Sequence, residues 1–72
     1  MQSFSSTLKN LRLQNKQYQK DLAELLNVTI RQYQRYESGE QEPNIASLIT
    51  LADYFNVSLD YLVGRSDNPE RR

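Results

Sequence analysis

Gln19-Lys-Asp-Leu-Ala-Glu-Leu-Leu-Asn27-Val28-Thr29-Ile-Arg-Gln-Tyr-Gln-Arg-Tyr-Glu-Ser38-Gly39 is the stretch on which the fold turns. From Gln19 to Leu26, Leu22, Ala23 and Leu26 share one side while Lys20, Asp21 and Glu24 take the other, the period of an amphipathic helix. Asn27 tolerates the left-handed backbone that ends such a helix, and Thr29 is a good N-cap for the next. That next helix is predicted from Ile30 to Ser38, stopped by Gly39. Two helices across a three-residue turn make a helix-turn-helix unit.

Working outward, Phe4, Leu8 and Leu11 fall at i, i+4 and i+7 and predict a first helix, with Ser5, Ser6 or Thr7 as its cap. It runs out in the polar stretch Gln14-Asn-Lys-Gln17. Beyond Gly39, Glu40 to Asn44 reads as a loop whose Asn44 caps a fourth helix carrying Ile45, Leu48, Leu51, Ala52 and Phe55 at helical spacing. Asn56-Val57-Ser58 is a second turn of the Asn-apolar-cap kind, opening a short fifth helix, Leu59 to Val63, closed by Gly64. No segment reads as a strand, and no repeat of 20–50 residues is seen. The expected fold class is all-α: a compact five-helix bundle over residues 1–65, with a polar, flexible tail at 66–72.

Composition narrows the function. At 72 residues and 8.5 kDa there is one domain with one small core. With neither Cys nor His, disulfides, thiolate metal sites and finger-type zinc sites are excluded. No metal or other cofactor is expected. Ser6-Thr-Leu-Lys9 and Ser66-Asp-Asn68 match fragments of penicillin-binding motifs, but the companion K-T-G is missing and the chain is far too short for that fold. The only glycines are Gly39 and Gly64, so there is no phosphate loop. Enzyme chemistry is not expected. Met1 to Thr7 lacks the basic and apolar regions of a secretory signal. No apolar run exceeds Tyr61-Leu62-Val63, far below the roughly 20 residues a membrane helix needs. A cytoplasmic location is therefore expected, and the two N-x-[ST] sequons at Asn27 and Asn56 are chance.

On a helical wheel set at Ile30, Gln34 falls at about 40°, Arg31 at about 100° and Arg35 at about 140°. Tyr33, Tyr36 and Glu37 occupy the opposite side. A guanidinium forks onto guanine O6 and N7, a Gln amide onto adenine N6 and N7, and an aliphatic tip suits a thymine methyl. Any exposed helix can carry Arg and Gln; what distinguishes this one is its place as the second helix of the unit. Net charge is zero, yet residues 1–36 hold six basic side chains against two acids, and residues 37–70 hold seven acids against Arg65. Neutrality is a cancellation between halves, and the basic half carries the unit.

Leu8-Lys-x-Leu11-Arg12, Gln19-x-x-Leu22-Ala23, Val28-Thr29 and Arg35-Tyr36-Glu37-x-Gly39 together resemble the lambda-repressor-like (Cro and phage-repressor) helix-turn-helix family. Pro43, Leu48, Leu51-Ala52 and Val57-Ser-Leu-Asp-Tyr-Leu62-x-Gly64 continue the match, which spans residues 8 to 64 without a gap. The resemblance implies double-stranded DNA as partner and a transcriptional regulator, most often a repressor. It implies a homodimer on a pseudo-palindromic operator, with Tyr54, Tyr61 and Val63 as candidate dimer contacts. Thr29, Ile30, Arg31 and Arg35 look like the base-facing positions, and the wheel adds Gln34. Gln19 looks like the family's phosphate-anchoring glutamine, at a helix N-terminus that favours an anion. Arg12, Lys20, Ser38 and Gly39 are the further phosphate candidates, and Arg12 and Glu37 match a pair that bridges helices 1 and 3 in some members. The second reading is a protein-interaction module or antitoxin-like subunit using the same fold.

The chain departs from the family in places. Lys16, Gln17 and Tyr18 stand where Gly, Leu and Ser or Thr are usual, so helix 2 is expected to lack its ordinary cap, with Tyr18 packed or reaching a phosphate. Tyr33 replaces a smaller aliphatic, so the core must take a ring. Glu40 and Glu42 make acidic a loop that is basic in some relatives.

Overall fold

The computed structural model describes residues 3–66 and 68–70. Five helices follow one another, α1 (Phe4–Gln14), α2 (Gln19–Leu26), α3 (Ile30–Ser38), α4 (Ile45–Phe55) and α5 (Leu59–Leu62), with no strand among the described residues. Their order and nature are those expected, α2 and α3 run over the predicted stretches, and α4 starts after the predicted cap Asn44.

Local chemistry accounts for most of these boundaries. Thr29 Oγ1 accepts from the Gln32 N–H, Asn44 Oδ1 from Ser47 and Ser58 Oγ from Tyr61, each satisfying a helix-start amide that has no ladder partner. Asn27 and Asn56 sit at φ 57° and 55°, ending α2 and α4 in the left-handed conformation. The cap of α1 differs from expectation. Ser3, not Ser5, Ser6 or Thr7, accepts from the Ser6 N–H, because Thr7 is buried and α1 needs one more turn to bring Phe4 against the core. At the other end α5 stops at Leu62, one residue early, with Val63 as its C-cap.

The entry to α2 is solved without Ser or Thr. Lys16 takes a left-handed φ of 55° where the family favours Gly. Tyr18 is the N-cap, and the Asp21 carboxylate accepts its N–H at 2.8 Å. Half of a capping box thus comes from the third helical residue. Of the two places expected for the Tyr18 ring, packing in the core is not the one it takes. It is 70% exposed, with the Lys20 ammonium 6.0 Å from its centroid.

One core joins all five helices: Leu8 and Leu11 from α1, Leu22 and Ala23 from α2, Tyr33 and Tyr36 from α3, Leu51, Ala52 and Phe55 from α4, Val57, and Leu62 from α5. α3 packs against α1 and α2, and α5 against α1 and α4. Tyr33, fully buried, meets Tyr36 edge to face at 6.3 Å. The core therefore accepts the ring that the sequence put behind α3. Ile45 follows the apolar spacing of α4 yet is 63% exposed, so the buried stripe of that helix begins later. Of the tail 66–72, Asp67, Arg71 and Arg72 lie outside the described residues, as do Met1 and Gln2. Asn68 and Pro69 run back to α5, where the Ser58 N–H donates to the Pro69 carbonyl at 2.9 Å.

Candidate nucleic-acid interface

The outer side of α3 presents Ile30, 48% exposed, with exposed Arg31 and Gln34 and half-buried Arg35. Tyr33 and Tyr36 face inward, as the wheel requires. Thr29 is exposed at the start of this face. Its hydroxyl oxygen is spent on the Gln32 N–H, which leaves the hydroxyl hydrogen free to donate outward. Arg31, Gln34, Arg35, Ser38 and Glu40 line a shallow depression of about 250 Å³ along the face.

Behind it lies a polar hub. The Glu37 carboxylate accepts from Arg12 Nε (2.6 Å), Arg12 Nη2 (3.1 Å), the Tyr33 hydroxyl (2.5 Å) and Gln19 Nε2 (3.3 Å). The bridge between helices 1 and 3 expected from the resemblance is present, in the bidentate form that suits guanidinium and carboxylate. Its side chains are only 12% and 6% exposed. Arg12 Nη1 also donates to the Gln17 carbonyl at 3.1 Å, tying the turn before α2 into the hub. Burial alone would raise the Glu37 pKa, but the hydrogen bonds from Arg12, Tyr33 and Gln19 outweigh it and hold the carboxyl below its ordinary value. The Arg12 pKa is raised, chiefly by its hydrogen bond to Glu37. The Tyr33 phenol is pushed up by burial and then by the neighbouring carboxylate, so it stays a donor.

The hub extends to the surface. Gln19 spends an amide N–H on Glu37 and accepts from Gln34 Nε2 at 3.1 Å. Arg12, Glu37, Gln19 and Gln34 thus form a relay from the interior to the outer face of α3. Sequence spacing could not show this. Gln19 and Gln34 lie on different helices, and only the packing angle of α2 on α3 makes them neighbours. Tyr33 as the fourth donor was likewise missed, although its i, i+4 distance to Glu37 was a usable signal.

Among the other candidates, Lys20 is exposed at the start of α2, near the Tyr18 ring. Ser38 closes α3 and donates its hydroxyl to the Arg35 carbonyl at 3.1 Å. Gly39 comes next at φ 83°, a left-handed turn that suits a residue without a side chain. The suggested dimer residues are dispersed in exposure: Tyr54 is exposed and bonded to Gln17 Oε1 at 3.0 Å, while Tyr61 and Val63 are half-buried. No group of His, Cys, Asp or Glu suited to a metal occurs among the described residues. No helix there is long and apolar enough to cross a membrane.

Comparison with known proteins fits this geometry. The family described as "Helix-turn-helix" matches residues 8–62. The chain is 40% identical over 65 residues to the HTH-type transcriptional regulator YqaE of Bacillus subtilis, covering 90% of this chain and 56% of that protein. A crystal structure of a transcriptional regulator from Listeria innocua superposes with a TM-score of 0.84 at 44% identity, over 86% of this chain and 58% of that one. The P22 c2 repressor, crystallised with a synthetic operator, gives 0.82 at 26% identity, over 92% of this chain and all of that one. The chain spans little more than half the length of YqaE.

Proposed function

The chain belongs to the helix-turn-helix family of the Cro and phage-repressor type, and from that premise we propose that it is a sequence-specific DNA-binding transcriptional regulator of repressor type. α3 enters the major groove of double-stranded DNA. Arg31 and Arg35 donate in forks to guanine edges, and Ile30 meets a thymine methyl. Gln34 keeps one amide N–H on Gln19 and offers the other, with its carbonyl, to adenine N7 and N6. Thr29 donates its hydroxyl to a nearby base or phosphate acceptor.

Gln19, Lys20 and the amides at the start of α2 take a phosphate on one side of the groove. Arg12 supports that contact with the N–H groups not spent on Glu37 and Gln17. Ser38 and Gly39 meet the backbone at the far end of α3. One reading helix spans too few base pairs to single out a genomic site, so the protein acts as a homodimer on a pseudo-palindrome, its half-sites about 34 Å apart or a multiple of that. Tyr54, Tyr61 and Val63 are the proposed contact surface. Occupancy of such an operator would repress by occlusion, in the cytoplasm of a bacterium or of a phage-infected cell.

The observation that carries this reading is the Gln34–Gln19–Glu37–Arg12 relay, which fixes a base-reading amide and a phosphate-side amide in one rigid unit. Selection of bound sites from random duplex DNA tests it. The wild-type protein should enrich a two-fold symmetric sequence. Arg31→Ala with Arg35→Ala should abolish the enrichment and weaken binding to that sequence by about 30-fold or more, since each good bidentate contact discriminates by about 1–3 kcal/mol. An unchanged far-ultraviolet spectrum and melting temperature would show that the fold is intact. Unaltered enrichment by the double variant would overturn the assignment and favour a protein-interaction role.

A further inference from the structure

We propose that Tyr33 is a positioning residue for base reading: its buried hydroxyl completes the donor set around the Glu37 carboxylate and so fixes, through Gln19, which edge of the Gln34 amide faces DNA. This role rests on the DNA-reading assignment of α3 made above.

A carboxylate has about four lone-pair sites and, when ionised, no hydrogen to give. Here four donors surround it. Arg12 Nε (2.6 Å) and the Tyr33 hydroxyl (2.5 Å) share Oε2 of Glu37, while Arg12 Nη2 (3.1 Å) and Gln19 Nε2 (3.3 Å) share Oε1. Gln19 therefore turns its N–H side to Glu37 and its carbonyl to Gln34, which answers with Nε2 at 3.1 Å. One N–H and the carbonyl of Gln34 are left for a base edge. An acceptor that cannot donate thus sets the direction of both amides, from the interior outward.

Tyr33 is the donor best placed to hold that acceptor still. It sits one turn before Glu37 on α3, and its ring is fully buried, edge to face with Tyr36 at 6.3 Å. Arg12 and Gln19 reach Glu37 from other helices on long side chains; a buried ring has only two torsions, so its hydroxyl is held in place. Burial and the carboxylate keep the phenol protonated, so it donates without adding charge. A smaller aliphatic, usual at this position in the family, has no donor to offer. Without the hydroxyl, Oε2 keeps Arg12 Nε alone, the carboxylate is freer to turn, and the amides beyond it lose their common direction.

Arg31 stands outside this relay. It is exposed on the same helix, and its side chain makes no hydrogen bond or ion pair among the described residues. A disturbance of α3 as a whole would reach Arg31 and Gln34 alike, whereas a loss of direction in the relay reaches Gln34 alone.

The test is a pair of double-mutant cycles on binding to the duplex selected by the wild-type protein. Binding is read by fluorescence anisotropy at a temperature where urea melts show each variant folded. Tyr33→Phe keeps the ring, removes the hydroxyl and should weaken binding by about three- to tenfold. Added to Gln34→Ala it should weaken binding by less than about twofold further, but added to Arg31→Ala it should cost its full factor again. Selection from random duplexes by Tyr33→Phe should relax preference at the base pair where Gln34→Ala relaxes it and nowhere else. Tyr33→Leu, with the kind of side chain usual in the family, removes the hydroxyl by a second route and should give the same pattern, whether or not Tyr33→Phe folds. Undiminished binding by the folded variants, or equal losses on the two backgrounds, would overturn the role of Tyr33. So would wild-type binding by Gln34→Ala alongside weakened binding by Arg31→Ala. If Gln34→Ala and Arg31→Ala both bind as the wild type does, the DNA-reading assignment itself is overturned.

Discussion

Two of the inter-helix turns of this protein follow one sequence pattern put to different uses. Leu22-Ala-Glu-Leu-Leu-Asn-Val-Thr29 joins α2 to α3, and Leu51-Ala-Asp-Tyr-Phe-Asn-Val-Ser58 joins α4 to α5. In both, the Leu is fully buried and the Asn is left-handed. The Val N–H reaches back to the Ala carbonyl, at 2.9 Å from Val28 to Ala23 and 3.0 Å from Val57 to Ala52. The Thr or Ser then caps the next helix through its side chain. The helices they open onto set the two turns apart. α3 is long and polar on its outer side and is held by a buried ion pair; α5 is a single short turn with apolar residues at both ends. A local code sets the corner between helices, and the helix beyond it decides whether that corner presents an exposed polar face or closes the core.

The largest expected difference between the two units lies in the hub, which only the first possesses. Glu37→Ala should cost about 3–5 kcal/mol in a urea melt, because it strands the Arg12 guanidinium in a mostly buried place. A cost below about 1 kcal/mol would mean the pair is solvated and that α3 is held no differently from α5. The same carboxylate has a pH signature. Its folded pKa lies below the ordinary 4.5, so its contribution is complete above that value and is lost as pH falls through the lower folded pKa. Glu37→Gln should therefore flatten the acid limb of stability against pH, with little change of slope near neutrality.

Next come the matched leucines. Leu22→Ala and Leu51→Ala should each cost about 2–5 kcal/mol, and by similar amounts, since both side chains are fully buried. A large inequality would show that one corner relaxes around the cavity and the other cannot. The caps should be smaller and alike. Thr29→Ala and Ser58→Ala should each lower stability by about 1 kcal/mol, but only Thr29→Ala should also weaken binding to a selected duplex.

The smallest effect concerns the left-handed residues. Lys16 shares its conformation with Asn27 and Asn56 but lacks their short polar side chain. Lys16→Gly should raise stability by about 0.5–1 kcal/mol, while Asn27→Gly and Asn56→Gly should change it by a few tenths. Thermal melts of the three variants would check the order.

Much of this was legible because helix chemistry is local. Period, caps and left-handed Asn or Gly positions are properties of a few neighbouring residues, and they place α2 and α3 and the caps that open α3, α4 and α5. The misses have equally local causes. Ser3 competes with three other hydroxyl residues at the start of α1, and choosing among them needs the packing of Phe4 and Thr7. The exposure of Tyr18 and Ile45 depends on what lies across from them, which periodicity along one helix does not state.

By itself the sequence determined that this chain forms short helices with capped corners, and which side chains share the outer face of α3. Only the tertiary structure decided that Gln34 meets Gln19, that Tyr33 and Arg12 converge on Glu37, and that Glu40 returns beside Arg31 and Arg35 on the outer side of α3. The physical reason is distance along the chain. Caps and faces rest on contacts within four residues, where backbone geometry leaves little choice. The hub and the relay join residues from three helices, and such meetings exist only once the core has fixed how those helices cross.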